Sequence, residues 1–253
     1  MTQWDEHKKN SFTRIQDIVT ANVNQSTLSQ QLVENKHITA LYLSQLSYFT
    51  FDKIRSKTNE FGAVRLSLYD HAGTQGFFAE FEDMAVVSFR GTQLDQGDDL
   101  KSCFTFWKQP FGKIRVHKGF AQSIEKLIPN ILADLTQVPE GKRIVFVGHS
   151  LGGALSTLLS AKHKPDELVT FGAPRVAGPE LAEYLSDIEY HRIVTKWDLV
   201  RRLPPNIPRI LPYKHSGERR VLDVNWYWNP KKFIHPHLLV TYLNALLAEE
   251  NNN

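Results

Sequence analysis

The chain has 253 residues, a length that fits one large α/β domain better than two small ones. Hydrophobic residues make up 42% and include 15 Phe, 8 Tyr and 5 Trp, enough to build a core, so a disordered or collagen-like chain is excluded. Lys and Arg exceed Asp and Glu by only three charges, which leaves no electrostatic footprint for nucleic acid, and the single cysteine, Cys103, excludes an internal disulfide and a multi-Cys metal site.

Cys103 reads as a small buried hydrophobe. The N-terminal stretch lacks the apolar region of a signal peptide, and no run approaches the ~18 apolar residues of a membrane span, so a soluble chain is expected. That pattern favours the cytoplasm, or export by a route that leaves no N-terminal mark.

In chain order, residues 26–51 carry Leu28, Leu32, Ile38, Leu41, Leu43, Leu46 and Phe49 at helix-like spacing. They predict one or two amphipathic helices ending near Thr50 and Phe51. Residues 63–66, 74–79 and 85–89 are β-rich runs punctuated by Gly, Asp and His, as in hairpins. Residues 92–115 have no clear period. Residues 117–135 predict a helix with Phe120, Ile124, Leu127, Ile128 and Ile131 on one side.

The run Arg143-Ile144-Val145-Phe146-Val147 has the continuous apolar character of a strand buried on both faces. A helix over residues 151–162, strands over 167–171 and 190–194, and a last helix over 238–247 complete the reading. Strand and helix alternate as in βαβ crossovers, which predicts an α/β fold with a mostly parallel sheet in a single domain spanning residues 1–253.

The strongest chemical signal is Gly148-His149-Ser150-Leu151-Gly152, a G-x-S-x-G pattern set between a predicted strand and a predicted helix. Such a turn must be sharp, and residues without a Cβ let strand and helix approach while the serine is pushed outward. Ser150 is therefore the candidate nucleophile. A serine hydroxyl needs a base, and the base an orienting carboxylate. Asp198 follows the predicted strand 190–194 and is the candidate acid, with Asp187 and Asp223 as weaker rivals.

His215, His235 and His237 are the histidines after Asp198; His237, at the mouth of the last helix, is best placed to be the base. His149 reads as packing beside the nucleophile. Leu151, one residue past the serine, supplies one oxyanion amide by the logic of the turn. Thr92, just after the strand 85–89 and Gly91, is the candidate for the second.

Together these segments resemble the class 3 lipases. The resemblance rests on Ser88-Phe89-Arg90-Gly91-Thr92, Val116-His117-Lys118-Gly119-Phe120, the Gly148–Gly153 turn, Val169-Thr170-Phe171-Gly172-Ala173-Pro174-Arg175-Val176 and Asp198-Leu199-Val200-Arg201-Arg202-Leu203-Pro204-Pro205, ending with His237 and Tyr242-Leu243. It implies an α/β-hydrolase fold, a Ser150–Asp198–His237 triad, oxyanion donors at Thr92 and Leu151, structural roles for His117 and His215, and no metal or organic cofactor.

It further implies a lipid ester as substrate, triacylglycerol ahead of phospholipid, met at an interface, with transient membrane or droplet contact. In the family a lid lies in the interval that here is residues 93–115. Phe104, Phe106, Trp107 and Phe111 are the candidates to cover the serine there. The secreted fungal members have disulfides, which this chain cannot form. Two other readings stay open: a phospholipase A1 or lysophospholipase, and a catalytically silent interaction protein on the hydrolase fold.

Overall fold

The structure is a computed structural model that describes residues 36–91, 106–224 and 235–250; the Glu250 side chain lies outside the description. The first elements are helices α1 (Lys36–Leu46) and α2 (Phe51–Glu60) and strands β1 (Arg65–His71), β2 (Thr74–Glu80) and β3 (Met84–Phe89). A hairpin of β4 (Lys108–Phe111) and β5 (Ile114–His117) leads into helices α3 (Lys118–Glu125) and α4 (Ile128–Leu135). Then come β6 (Arg143–His149), α5 (Leu151–Ser160), β7 (Glu167–Phe171), α6 (Glu180–Tyr184) and β8 (Glu189–Thr195). A 3₁₀ turn (Val200–Arg202), β9 (Glu218–Leu222), a second 3₁₀ turn (His235–His237) and α7 (Leu239–Glu250) close the chain.

The main sheet runs β1-β2-β3-β6-β7-β8-β9. The β1–β2 and β2–β3 pairs are antiparallel, and every pair from β3 onward is parallel. That is the mostly parallel α/β layer the alternation of strands and helices predicts, and it agrees with the α/β-hydrolase fold that the resemblance implies. Successive side chains of a strand face opposite ways, so each buried strand feeds two cores. Val145, Val147, Val169, Phe171 and Ile193 face the side covered by α1 and α7, with Leu41, Leu43, Tyr42 and Leu243. Phe146, Leu168, Phe89 and Tyr190 face the side covered by α3, α4 and α5, with Phe120, Ile124, Leu155 and Leu158. Each fully buried aliphatic or aromatic side chain contributes roughly 1.5–3 kcal/mol, so the two clusters hold the layers together.

Four elements differ from the sequence reading. Phe51 starts α2 instead of ending a helix. Residues 117–135 break into α3 and α4, because Pro129 in the first turn of α4 cannot donate the amide a continuous helix would need there. Helix α1 is buried from Ile38 to Leu46 without a polar stripe, since it packs on β6 and α7. Strand β9 was not foreseen: its residues are exposed except Leu222, as suits an edge strand, and leave no apolar period to read. Among the described residues, no helix is long and apolar enough to cross a membrane.

Candidate active site

Parallel strands place their C-terminal ends along one edge, where loops from several strands converge. Strand β6 ends there in the Gly148–Gly153 turn. Ser150 has φ +57° and ψ −129°, a left-handed position that few non-glycine residues occupy. A Cβ at Gly148 would sit 2.4 Å from the Gly152 carbonyl carbon, and one at Gly152 would sit 2.1 Å from the Phe89 carbonyl oxygen. Strand and helix thus meet at backbone distance, and the Ser150 amide is held by the Phe171 carbonyl at 2.9 Å. Leu151 is the first residue of α5, so its N–H points out of the helix N-terminus with no acceptor inside the helix.

Asp198 follows β8 and is fully buried. Its Oδ2 accepts from His237 Nδ1 at 2.7 Å and from the Tyr242 hydroxyl at 2.7 Å, and its Oδ1 accepts from the Val200 amide at 2.8 Å. Burial opposes its charge, but the His237 and Tyr242 donors outweigh it and hold the carboxyl below its ordinary range. His237 is 2% exposed and sits in the 3₁₀ turn ahead of α7. Thr195 Oγ1, at the end of β8, donates to the Pro236 carbonyl at 2.7 Å and ties that turn to the strand carrying the acid. Gly172, at φ +59°, leaves the space: a Cβ there would meet Asp198 Oδ2 at 2.6 Å and His237 Cε1 at 2.9 Å.

The other ring nitrogen, His237 Nε2, is buried and has no hydrogen-bond partner among the described residues. The imidazole packs at a tilt against His149, the neighbour of Ser150, with ring centroids 4.7 Å apart. His149 Nε2 lies 2.7 Å from the His237 carbonyl oxygen. A carbonyl can only accept, so Nε2 carries the proton and Nδ1 is an acceptor. The Tyr48 hydroxyl donates to that Nδ1 at 2.8 Å, and the Gly91 amide donates to the Tyr48 oxygen. Burial pushes His149 down to about 3, so it stays neutral. One directed chain therefore links the end of β3, the helix-end residue Tyr48, the elbow and the main chain of the candidate base.

The structure brings Asp198 and His237 into contact and seats His237 against the Ser150 turn. Three of the rival residues, Asp187, His215 and His235, make other contacts. Asp187 pairs with Lys164 at 2.5 Å before β8, at the opposite edge of the sheet. His215 Nε2 donates to the Arg201 carbonyl at 2.7 Å, and the His235 carbonyl accepts from Thr241. His117 caps α3 by accepting from the Phe120 amide and stacks on Phe120, a structural role.

Thr92 and Phe104 lie outside the described residues. Of the aromatic covers, Phe111 does not fit: it is a 5% exposed core residue of the β4–β5 hairpin, packed with Ile114 and Phe120. Trp107 is 78% exposed, and the Phe106 carbonyl accepts from the Tyr213 hydroxyl. Tyr48, Gly172 and Tyr242 hold the site although the residue-by-residue reading gave them no part in it. Gly172, within the run 169–176, and Tyr242, in Tyr242-Leu243, left a trace in the sequence, and Tyr48 left none.

Among the described residues, one grouping has ligand-like spacing, Glu167 with Glu189 and His191. It stands at the N-terminal ends of β7 and β8, away from Ser150. Lys36 and Arg143 already neutralise it, at 2.5 Å to Glu189 and 2.6 Å to Glu167 respectively. Cations of the protein fill the place an ion would take.

Residues 86–207 match the sequence profile described as Lipase (class 3), a span that holds Ser150 and Asp198 and stops before His237. The chain is 33% identical over 118 residues to secreted mono- and diacylglycerol lipase 1 of Fusarium solani, covering 43% of this chain and 34% of that protein. It is 35% identical over 135 residues to a lipase of Rhizopus niveus, covering 46% and 34%. The chain thus spans about a third of the length of these relatives. Among solved structures, the triacylglyceride lipase of Rhizomucor miehei aligns with a TM-score of 0.59 at 26% identity, covering 77% of this chain and 81% of that one.

Proposed function

We propose that this chain, whose residues 86–207 match the class 3 lipase profile, is a member of that family and a serine carboxylic-ester hydrolase that acts on lipid esters, triacylglycerol ahead of phospholipid. The observation that carries the reading is a buried imidazole bonded through Nδ1 to Asp198 at 2.7 Å, open at Nε2, and fastened by its own carbonyl to the residue beside a serine at φ +57°.

Asp198 fixes the tautomer, so Nδ1 keeps its proton and Nε2 is the basic nitrogen. Rotation of the Ser150 side chain toward Nε2 lets the imidazole take the hydroxyl proton while Oγ attacks the ester carbonyl. Hydrogen bonds in resting hydrolases are commonly longer than in the reacting complex. The negative charge of the tetrahedral intermediate falls to the Leu151 amide, and by the same reading to Thr92. Each such donor is worth on the order of 10²–10³ in rate. Collapse expels the alcohol, which takes the proton from His237, and leaves acyl-Ser150. Water, deprotonated by the same Nε2, then attacks the acyl carbon and releases the fatty acid. This sequence needs no metal and no organic cofactor.

The test is labelling by a fluorophosphonate probe together with hydrolysis of p-nitrophenyl esters of increasing chain length. The intact chain takes one label and turns over esters, and Ser150→Ala does neither. Full hydrolysis by Ser150→Ala removes the assignment, and an unlabelled, inactive intact chain favours a silent hydrolase-fold protein. For the cover over the site, Phe104, Phe106 and Trp107 remain the candidates within residues 93–115. A rate that rises when the ester passes from monomers to droplets supports a lid, and a rate that follows concentration smoothly removes it.

A further inference from the structure

The loop that carries Asp198 borders a face crowded with arginine. Arg192 on β8 stands opposite Arg219 on β9 in the sheet register. Arg201 and Arg202 form the 3₁₀ turn directly after the acid. Arg175, from the loop after β7, donates to the Arg202 carbonyl and, at 2.7 Å, to the Pro204 carbonyl. Burial together with mutual repulsion lowers Arg175, Arg192 and Arg201 below the usual arginine value.

Among the described residues, none of the five is paired with a carboxylate. Asp198, the acid that acts on Arg201, is already engaged by His237, Tyr242 and Val200. Two polar atoms in this neighbourhood, Arg201 Nε and Ser216 Oγ, are buried without a hydrogen-bond partner. Guanidiniums gathered without a carboxylate partner repel one another, and an anion arriving from outside relieves that repulsion.

The same loops expose apolar side chains. Trp197 and Leu199 flank Asp198 at 41% and 52% exposure, and Ile207 and Ile210 follow at 44% and 81%. A soluble phosphate answers the guanidiniums but not these groups, and a nucleic acid would leave the aliphatics in water. A phospholipid bilayer with anionic headgroups answers both: phosphodiesters match the planar donor fork of arginine, and the acyl boundary takes Trp, Leu and Ile.

We propose that Arg175, Arg201, Arg202 and Arg219, rimmed by Trp197, Leu199, Ile207 and Ile210, dock this protein on an anionic phospholipid surface, with the Asp198 edge of the sheet turned toward the lipid. The proposal rests on the lipid-ester reading for its purpose, but its physical basis is independent of catalysis.

Binding is measured with the Ser150→Ala chain, so that vesicles stay intact, by co-sedimentation with phosphatidylcholine vesicles with and without phosphatidylglycerol. The expected result is binding only where phosphatidylglycerol is present, weakening as salt rises. Each surface arginine is worth roughly fivefold in partition, so R202Q/R219Q weakens binding ~25-fold. Trp197→Ser weakens it further at constant charge. Equal partition to both vesicle types, salt-independent binding by the unmodified face, or an R202Q/R219Q chain that binds undiminished overturns the proposal. So does complete displacement by inorganic phosphate, which marks a soluble-anion site, or preference for RNA over vesicles. Fluorophosphonate labelling of the wild-type chain reports on Ser150 separately: binding without labelling sinks the hydrolase reading alone, and labelling without binding sinks the docking face alone.

Discussion

Tyr48→Phe removes one oxygen and no carbon, so its effect isolates the hydrogen bonds that meet at that oxygen. The hydroxyl is buried, donates to His149 Nδ1 at 2.8 Å and accepts from the Gly91 amide. With phenylalanine in its place, a ring acceptor and an amide donor are both left unpaired out of water. An unsatisfied buried group costs about 1–3 kcal/mol, and partial relaxation makes the sum about 2–4 kcal/mol. The effect on rate is separable. Gly91 immediately precedes Thr92, and His149 holds the main chain of His237, so the variant loosens a proposed oxyanion donor and the proposed base together. Full loss of one such donor costs on the order of 10²–10³, so a displaced one is expected to lower kcat roughly 10–100-fold while KM stays near its original value. Urea unfolding reads the first quantity, and steady-state hydrolysis of a short p-nitrophenyl ester reads the second. A chain destabilised as expected but unchanged in kcat would show that the Tyr48–His149 link only supports the fold.

Three further perturbations test other parts of the reasoning. Gly152→Ala places a methyl 2.1 Å from the Phe89 carbonyl oxygen, and both atoms belong to rigid backbone. It is expected to cost at least about 3 kcal/mol or to abolish soluble expression, and a native unfolding midpoint would contradict the close approach of β3 to α5. Tyr242→Phe takes a donor from the ionised Asp198 and is expected to lower stability by about 1.5–3 kcal/mol near neutral pH in a urea titration; an unchanged midpoint would mean that the carboxylate does not depend on it.

Acid should weaken the fold before carboxylates are protonated. Burial holds His149 at about 3, against 6.5 for a free histidine. Between those values the unfolded chain binds a proton that the native one refuses, so stability falls as pH falls, by about 2 kcal/mol from pH 7 to pH 5 for this residue alone. His215, also lowered by burial to about 3 but partly exposed, adds a smaller loss of the same sign. Urea midpoints that stay level over that interval would show that the buried histidines accept protons freely.

What could be read from the chain was whatever short-range sterics dictate. The Gly148–Gly152 turn declares itself because five adjacent residues must satisfy one backbone geometry, and the strand before it and helix after it are contiguous in sequence. Strands β6 and β7 were legible for the same reason: Val145, Phe146 and Val147 are apolar on both faces because both faces are covered. Edge strand β9 and the break between α3 and α4 were missed. In β9 an exposed surface erases the period, and in the helix a single proline outweighs an unbroken apolar face. Tyr48 illustrates the harder limit. It reaches His149 across 101 positions of the chain, and no spacing rule connects an aromatic just past the end of α1 to a ring on the last residue of β6.

The same limit applies to the role of His149, which in the sequence reads as packing. Its neighbours assign it a direction. The His237 carbonyl cannot donate, so His149 Nε2 must; His149 Nδ1 must then accept, so the Tyr48 hydroxyl must donate to it, and its oxygen is left for the Gly91 amide. Every proton in this chain is placed by one carbonyl. The consequence for chemistry is that His237 is anchored to the elbow through its main chain and to Asp198 through Nδ1, so both restraints act on it without occupying Nε2. An imidazole fastened instead through Nε2 would be equally rigid and could not serve as a base. The geometry therefore separates holding the ring from using it, and that separation is the physical content of the proposed mechanism.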